Sequence, residues 1–329
     1  MSSSWFERLT GFPEESPTQV RSKIALDGDE LVSSVNGRRL RAGELTTPTL
    51  DDLRASVRSS AIPRDPPSVR EIVGDSQTLH ASSEAEGALF QVASQFNLLE
   101  MISPSVSPED GVSIYQSDNT QGPACAIAAG AGTIYRNYYA LVDGEPGQAE
   151  HRQIDCLEDL GELLGNNGDK HWTMKNGYAL ASGPGLDHVS EIIRTADEEM
   201  LERLRGSLRI GIQWDTEVTV AESGHLVSQA YCSALPVAYS SLPPEKWKPF
   251  ATLVLEAAYE ATLSAAVLNS ERTGNKDVYL TLVGGGASGN HIDWITNAIE
   301  RSLSLFEHYP LDVKIVSFGR RNPNLASLV

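Results

Sequence analysis

Two stretches of this chain combine residue types and spacing that could do chemistry. The first, residues 278–290, reads VYLTLVGGGASGN. A β-rich apolar run feeds Gly284, Gly285, Gly286, Ala287, Ser288, Gly289 and Asn290, and a helical pattern starts at His291. Strand, glycine-rich turn and helix N-terminus together form an anion cradle. Glycines let the backbone approach a ligand, and the free N–H groups and helix dipole favour phosphate. No Lys-Ser/Thr pair follows the glycines, so this is not a Walker P-loop, and the spacing is not that of a dinucleotide fingerprint. A tight strand-to-helix turn without a ligand is the plainer reading.

The second stretch, 115–129, reads YQSDNTQGPACAIAA. Asp118, Asn119, Thr120 and Gln121 precede a helix expected to begin near Pro123, a favoured first-turn residue. Asp118 or Thr120 could simply cap that helix. A carboxylate facing a cleft could instead orient a ribose hydroxyl or activate a water. A third set, Gln95-Phe96-Asn97, follows the apolar run 88–93. In open α/β sheets ligands sit outside the carboxyl ends of strands, which would put Asn97 on the same rim. An Asx-turn is its plainer role.

The elements that must position these residues follow from the patterning. Strands are expected at 23–26 and 31–35, with Asp27-Gly28-Asp29 and Asn36-Gly37 as hairpin turns. Ile62-Pro63-Arg64-Asp65-Pro66-Pro67 reads as a linker. Further strands are expected at 88–93, 177–182, 208–219, 226–240, 278–283 and 313–318. Helices are expected at 123–141, at 187–205 with Asp187 as N-cap, at 244–272 with Thr273-Gly274-Asn275 as stop, and at 291–306. Strands alternating with helices imply an α/β sandwich with a largely parallel sheet.

Composition narrows the class. The chain has 329 residues, 26 Lys+Arg against 44 Asp+Glu, and a formal net charge of −18. That field argues against nucleic acid or an anionic membrane as a bulk partner, so an anionic ligand would need local capture. No run approaches the roughly 18 apolar residues of a membrane span. The N-terminus, from Met1 and Ser2 to Arg8, lacks the pattern of a secretory signal. Cys125, Cys156 and Cys232 are far apart, odd in number and without zinc-ligand spacing. A reducing cytoplasm, with no metal and no cofactor, is expected.

The three loops, in this order, resemble the macrodomain superfamily, whose members bind ADP-ribose. GGGASGN resembles the late loop that wraps the diphosphate in that family, Asn97 the ribose-facing Asn, and the stretch holding Thr120 and Gln121 the first ligand loop. By the same resemblance Phe318 would stack on adenine and Glu86 would read the adenine amino group. The usual Gly-Gly-Gly of the first loop is replaced here by YQSDNTQGPACA. That departure is similar to a divergent, MavL-like, arginine-specific ADP-ribosylhydrolase branch, distantly similar to poly(ADP-ribose) glycohydrolase. This resemblance implies Asp118 and Asp110 as catalytic carboxylates, with Asp215 in QWDT a secondary candidate.

The resemblance covers roughly residues 80–320. It implies a macrodomain-like three-layer α/β/α sandwich with a mixed, largely parallel sheet over 81–329, and an N-terminal extension over 1–80 packed on or flanking it. The implied activity is removal of mono-ADP-ribose from modified protein side chains, arginine above all. A non-catalytic ADP-ribose-binding module would carry the same late loop. A third reading, an unrelated hydrolase using Cys125 or Cys232 with a histidine, needs a low-pKa thiol.

Overall fold

The computed structural model describes residues 3–62 and 64–329. Met1, Ser2 and Pro63 of the expected linker lie outside them. Seven strands form the central sheet: β1 Glu44–Thr46, β2 Ser68–Val73, β3 Leu89–Ser94, β4 Gly211–Glu217, β5 Leu226–Ser233, β6 Asp277–Leu280 and β7 Asp312–Ser317. Their order across the sheet is β1-β4-β5-β3-β6-β7-β2. β4 runs antiparallel to both its neighbours, and the other pairs, β5 through β2, are parallel. The protein is therefore α/β with a mixed, largely parallel sheet.

Helices cover both faces. The flanking helices are α1 Ser76–Ala81, α2 Gln121–Ala128, α3 Gly130–Tyr138, α4 Gly183–Thr195, α5 Glu198–Gly206, α6 Pro244–Thr273 and α7 Ile292–Leu305. Alternate side chains of a strand point to opposite faces. On β3, Gln91 donates to Thr262 of α6 at 2.8 Å, while Phe90 stacks on His80 of α1. The central strands are buried on both sides, and LFQVAS of β3 reads accordingly as a nearly continuous buried run. α6 is long and apolar enough to span a membrane, but 83% of its apolar window is buried inside the fold, where it is the core helix.

Two expected helices are each broken in two. The 123–141 pattern breaks at Ala129 (φ −115°, ψ 62°). There Thr219 competes for the backbone: its amide donates to Ala128 O at 2.8 Å and its Oγ1 accepts from Gly130 N at 3.0 Å. The 187–205 pattern breaks at Ala196. Asp197 caps α5 by accepting from Met200 N at 2.9 Å, and Ser182, rather than Asp187, caps α4. The Asp197-Glu198-Glu199 run is thus a helix N-terminus, where its charge suits the dipole.

The first 80 residues are woven into the fold. They supply both edge strands, β1 and β2. Ile24–Asp27, Glu30–Ser33 and Arg39–Arg41 form a small meander through the two expected turns. Trp5, Phe6 and Leu9 join Ala126, Ala131, Ile134 and Tyr138 in a second core beneath α2 and α3.

Candidate functional site

A crevice opens at the carboxyl ends of β3, β5 and β6, the rim where parallel sheets bind ligands. Two unlike walls form it. The first is the loop from Thr281 to His291. Gly284 (φ +78°) and Gly289 (φ +72°) adopt left-handed conformations that favour glycine. A Cβ on Gly284 would stand 2.4 Å from that of Ala234, and one on Gly289 2.7 Å from that of Ala238. Asn290 is buried. Its amide N–H closes on Gly284 O at 2.9 Å and its Nδ2 donates to Leu235 O at 2.8 Å, locking the loop to the segment after β5. Ser288 O accepts from Ala238 N at 2.9 Å. Among the described residues the amides of Gly284, Gly286, Ala287 and Ser288 find no internal acceptor. They stand accessible beside the N-terminus of α7, the arrangement that binds anions.

The second wall carries carboxyls. Asp118 lines the crevice with Thr120, and its Oδ1 accepts from Thr120 N at 2.8 Å. The bond is local, and among the described residues Oδ2 has no donor. Gln121 also lines the crevice, but its side chain continues the ladder of β3. It accepts from Ala93 N at 2.9 Å and donates to Gln91 O at 2.9 Å. Gly122 permits this approach, since a Cβ there would meet Ala93 O at 2.0 Å.

Behind them lies Glu100, which the sequence reading passed over. Its side chain is 1% exposed, it lines the crevice, and neither carboxyl oxygen has a hydrogen-bond partner. Burial pushes its carboxyl up to about 8, against the opposing pulls of Arg136 and of the Tyr115 hydroxyl. Arg136 Nη2 lies 3.7 Å from Glu100 Oε2. That guanidinium has other partners: Leu98 O at 2.9 Å, Thr133 Oγ1 at 3.2 Å, and the hydroxyl and ring face of Tyr231. Leu98 turns the chain toward the crevice with φ +65°, unusual for a leucine. The Arg136 bond holds its carbonyl, and Gly211 leaves room for its side chain. Tyr178 and Tyr239, ring centroids 5.0 Å apart, complete the crevice wall. No Lys or Arg is among the lining residues.

The remaining sequence candidates are placed elsewhere. Asn97 is buried beside the crevice with its side chain engaged, Nδ2 to Gln153 Oε1 at 2.8 Å and Oδ1 from Leu99 N at 3.1 Å. Asp110 caps a short 3₁₀ turn, accepting from Ser107 N at 2.8 Å, outside the crevice. Glu86 precedes β3, so about 20 Å of strand separates it from the crevice. Asp215 lies in a β-bulge (φ +52°) level with the start of β5, at that same far edge, and pairs with Arg272 at 2.5 Å. Neither can touch a ligand in this crevice. Phe318, 81% exposed, follows β7 on the crevice side of the sheet without lining the wall. Gly285 and Gly289 hold the loop's shape, while Gly284, Gly286, Ala287 and Ser288 line the crevice.

The two thiols do not fit a nucleophilic role. Cys125 and Cys232 are fully buried, and burial raises both, Cys232 to about 11. Neither is a nucleophile at neutral pH.

No protein-family model matches the chain, and no curated protein matches it. Among solved structures it is similar to poly(ADP-ribose) glycohydrolase from Thermomonospora curvata, at 12% identity and a TM-score of 0.44, covering 91% of each chain. It is similar to the same enzyme bound to the inhibitor ADP-HPD, at 11% identity and a TM-score of 0.44, covering 94% of each chain. The Deinococcus radiodurans enzyme in complex with ADP-ribose matches at 10% identity and a TM-score of 0.43, over 86% of this chain and 94% of that one. At such identities the chemistry has to be read from the crevice itself.

Proposed function

We propose that this protein binds ADP-ribose and hydrolyses the bond joining it to a modified protein side chain, arginine first among the candidates. The observation that carries this reading is the polarity of the crevice. One wall offers unpaired backbone amides and a helix N-terminus, which suit a diphosphate. The other offers Asp118 and Glu100, which suit ribose hydroxyls, a cationic leaving group and an electron-poor sugar carbon. A chain of net charge −18 cannot gather a diphosphate by its overall field, so capture falls to the local amides.

In this reading Asp118 faces the scissile C1″–N bond and activates the attacking water, general-base help that contributes typically ~10²–10⁴-fold. The developing positive charge on the ribose carbon is stabilised by the same carboxyl-lined wall. Thr120 and Ser288 offer hydroxyls to the sugar and phosphates. The macrodomain kinship rests on the resemblance of the three loops in their order, the arginine preference on the departure in the first of them, and a reducing cytoplasm suits three unpaired cysteines. The test is a release assay on arginine-, serine- and glutamate-linked ADP-ribosyl proteins, with ADP-ribose binding measured by calorimetry alongside. Release from the arginine substrate is expected. Tight binding with no release from any of the three would leave a non-catalytic reader.

A further inference from the structure

We propose, resting on the hydrolase reading, that Glu100 is the second working carboxyl of this site and delivers the proton to the departing side-chain nitrogen, while Asp118 takes the proton of the attacking water. Glu100 is a buried polar side chain on the crevice wall, and among the described residues neither of its oxygens has a hydrogen-bond partner; its nearest charge is Arg136, 3.7 Å away. A group left so costs stability unless something in the crevice meets it. The structure around it is built to hold it there. Tyr115 OH accepts the Glu100 amide N–H at 3.1 Å, Gln95 Oε1 accepts from Met101 N at 2.8 Å, and the left-handed Leu98 is clamped by Arg136.

The charged and titratable groups facing Glu100 are Arg136 from α3, Tyr115 from the 3₁₀ turn Ser113–Ser117, Tyr231 from β5, Cys125 from α2, and Asp118 on the same wall of the crevice. Arg136 Nη2, 3.7 Å from the carboxyl, pulls toward ionisation, and the burial of Glu100 outweighs that pull. Burial keeps the carboxyl proton in place at neutral pH. Two carboxyls in one crevice, one buried and one reached by solvent, is the arrangement that divides acid from base.

In the hydrolytic step, water oxygen bonds to C1″ of the ribose while the C1″–N bond breaks and its electron pair stays on nitrogen. The water proton passes to the Asp118 carboxylate, and the Glu100 proton passes to the leaving nitrogen. Free ADP-ribose and a protonated guanidinium depart, leaving Asp118 protonated and Glu100 ionised. Solvent proton exchange resets the pair.

A leaving group that needs no proton separates this role from a structural one. Glu100→Gln, which keeps shape, is compared with the wild type on arginine-linked ADP-ribose and on a nitrophenyl glycoside of ADP-ribose, whose phenolate departs unaided. We expect a loss of about 10²–10⁴-fold on the arginine substrate and less than about tenfold on the nitrophenyl one. Wild-type kcat on the arginine substrate should also fall as pH rises through about 8, while the nitrophenyl reaction does not. That contrast decides the matter even if Glu100→Gln folds poorly. Equal losses on both substrates with ADP-ribose binding intact, or parallel pH profiles in the wild type, overturn the proposal while leaving the hydrolase reading standing. A wild type that releases nothing from either substrate overturns both.

Discussion

The two walls of the crevice reach their shapes by different means. The glycine wall curls on itself, Gly284 and Asn290 bonding to each other, and is anchored on one segment only, 234–238, through Leu235 O and Ala238 N. The carboxyl wall is assembled from the whole chain. Glu14, 98 residues upstream of Val112, accepts from the amides of Val112 and Ser113 at 3.0 and 2.6 Å and from Tyr138 OH at 2.6 Å. Trp5 donates to Gln116 Oε1 and to Val112 O. The N-terminal segment therefore straps down the loop that carries Asp118. An anion cradle needs only backbone in a particular curl, which glycine spacing dictates. Placing two carboxyls needs depth, and depth comes from distant parts of the chain.

That contrast can be broken most forcefully at Asp118. Asp118→Asn should lower turnover by about 10²–10⁴-fold while ADP-ribose affinity, held by the amide wall, stays within a few-fold of wild type; steady-state kinetics and calorimetry read the two separately. A titration of stability comes next. The Glu100 carboxyl is raised from the usual carboxylate range to about 8, so the folded protein binds more protons than the unfolded chain between those values. This contribution is present in full at acid pH and fades as pH rises toward 8, by up to a few kcal/mol. Denaturant titrations across that window should show the slope, and Glu100→Gln should flatten it.

The third test moves to the glycine wall. Gly284→Ala places a Cβ against Ala234 and forces alanine to φ +78°, a conformational cost of about 1–2 kcal/mol before the clash. ADP-ribose affinity should fall at least about tenfold with little change in kcat. Glu14→Gln should then cost turnover more than affinity, because it loosens only the carboxyl loop; loss of charge-assisted bonds of about 1.5–3 kcal/mol should also lower the denaturation midpoint. Smallest of all is Gly286→Ala, whose Cβ meets nothing within 4 Å; a stability change inside about 0.5 kcal/mol is expected. A large effect there would mean the amide wall is shaped by more than its two left-handed glycines.

The same division explains what could be read from the chain alone. The alternating elements, both hairpin turns, the stop at Gly274 and the helix start at His291 are local signals, and the structure has them. The glycine loop was legible for the same reason. Glu100 was not, since nothing in NLLEM marks it: its burial depends on the backbone turn at Leu98, on Arg136 and on Tyr115. Glu86 and Asp215 were assigned to the site by the family resemblance, which does not say which edge of the sheet a residue reaches in this chain. The breaks at Ala129 and Ala196 escaped periodicity because the competing partners, Thr219 and Asp197, act at those residues alone.

One crevice is held to join an amide wall for the diphosphate to a carboxyl wall that cleaves. That union is tested most directly by ADP-ribose release from an arginine-ADP-ribosylated protein, measured for wild type and Asp118→Asn at matched ADP-ribose occupancy. Release by the wild type and near-silence from a variant that still binds ADP-ribose is the predicted result. Undiminished release by Asp118→Asn, or a wild type that neither binds ADP-ribose nor releases it, would contradict it.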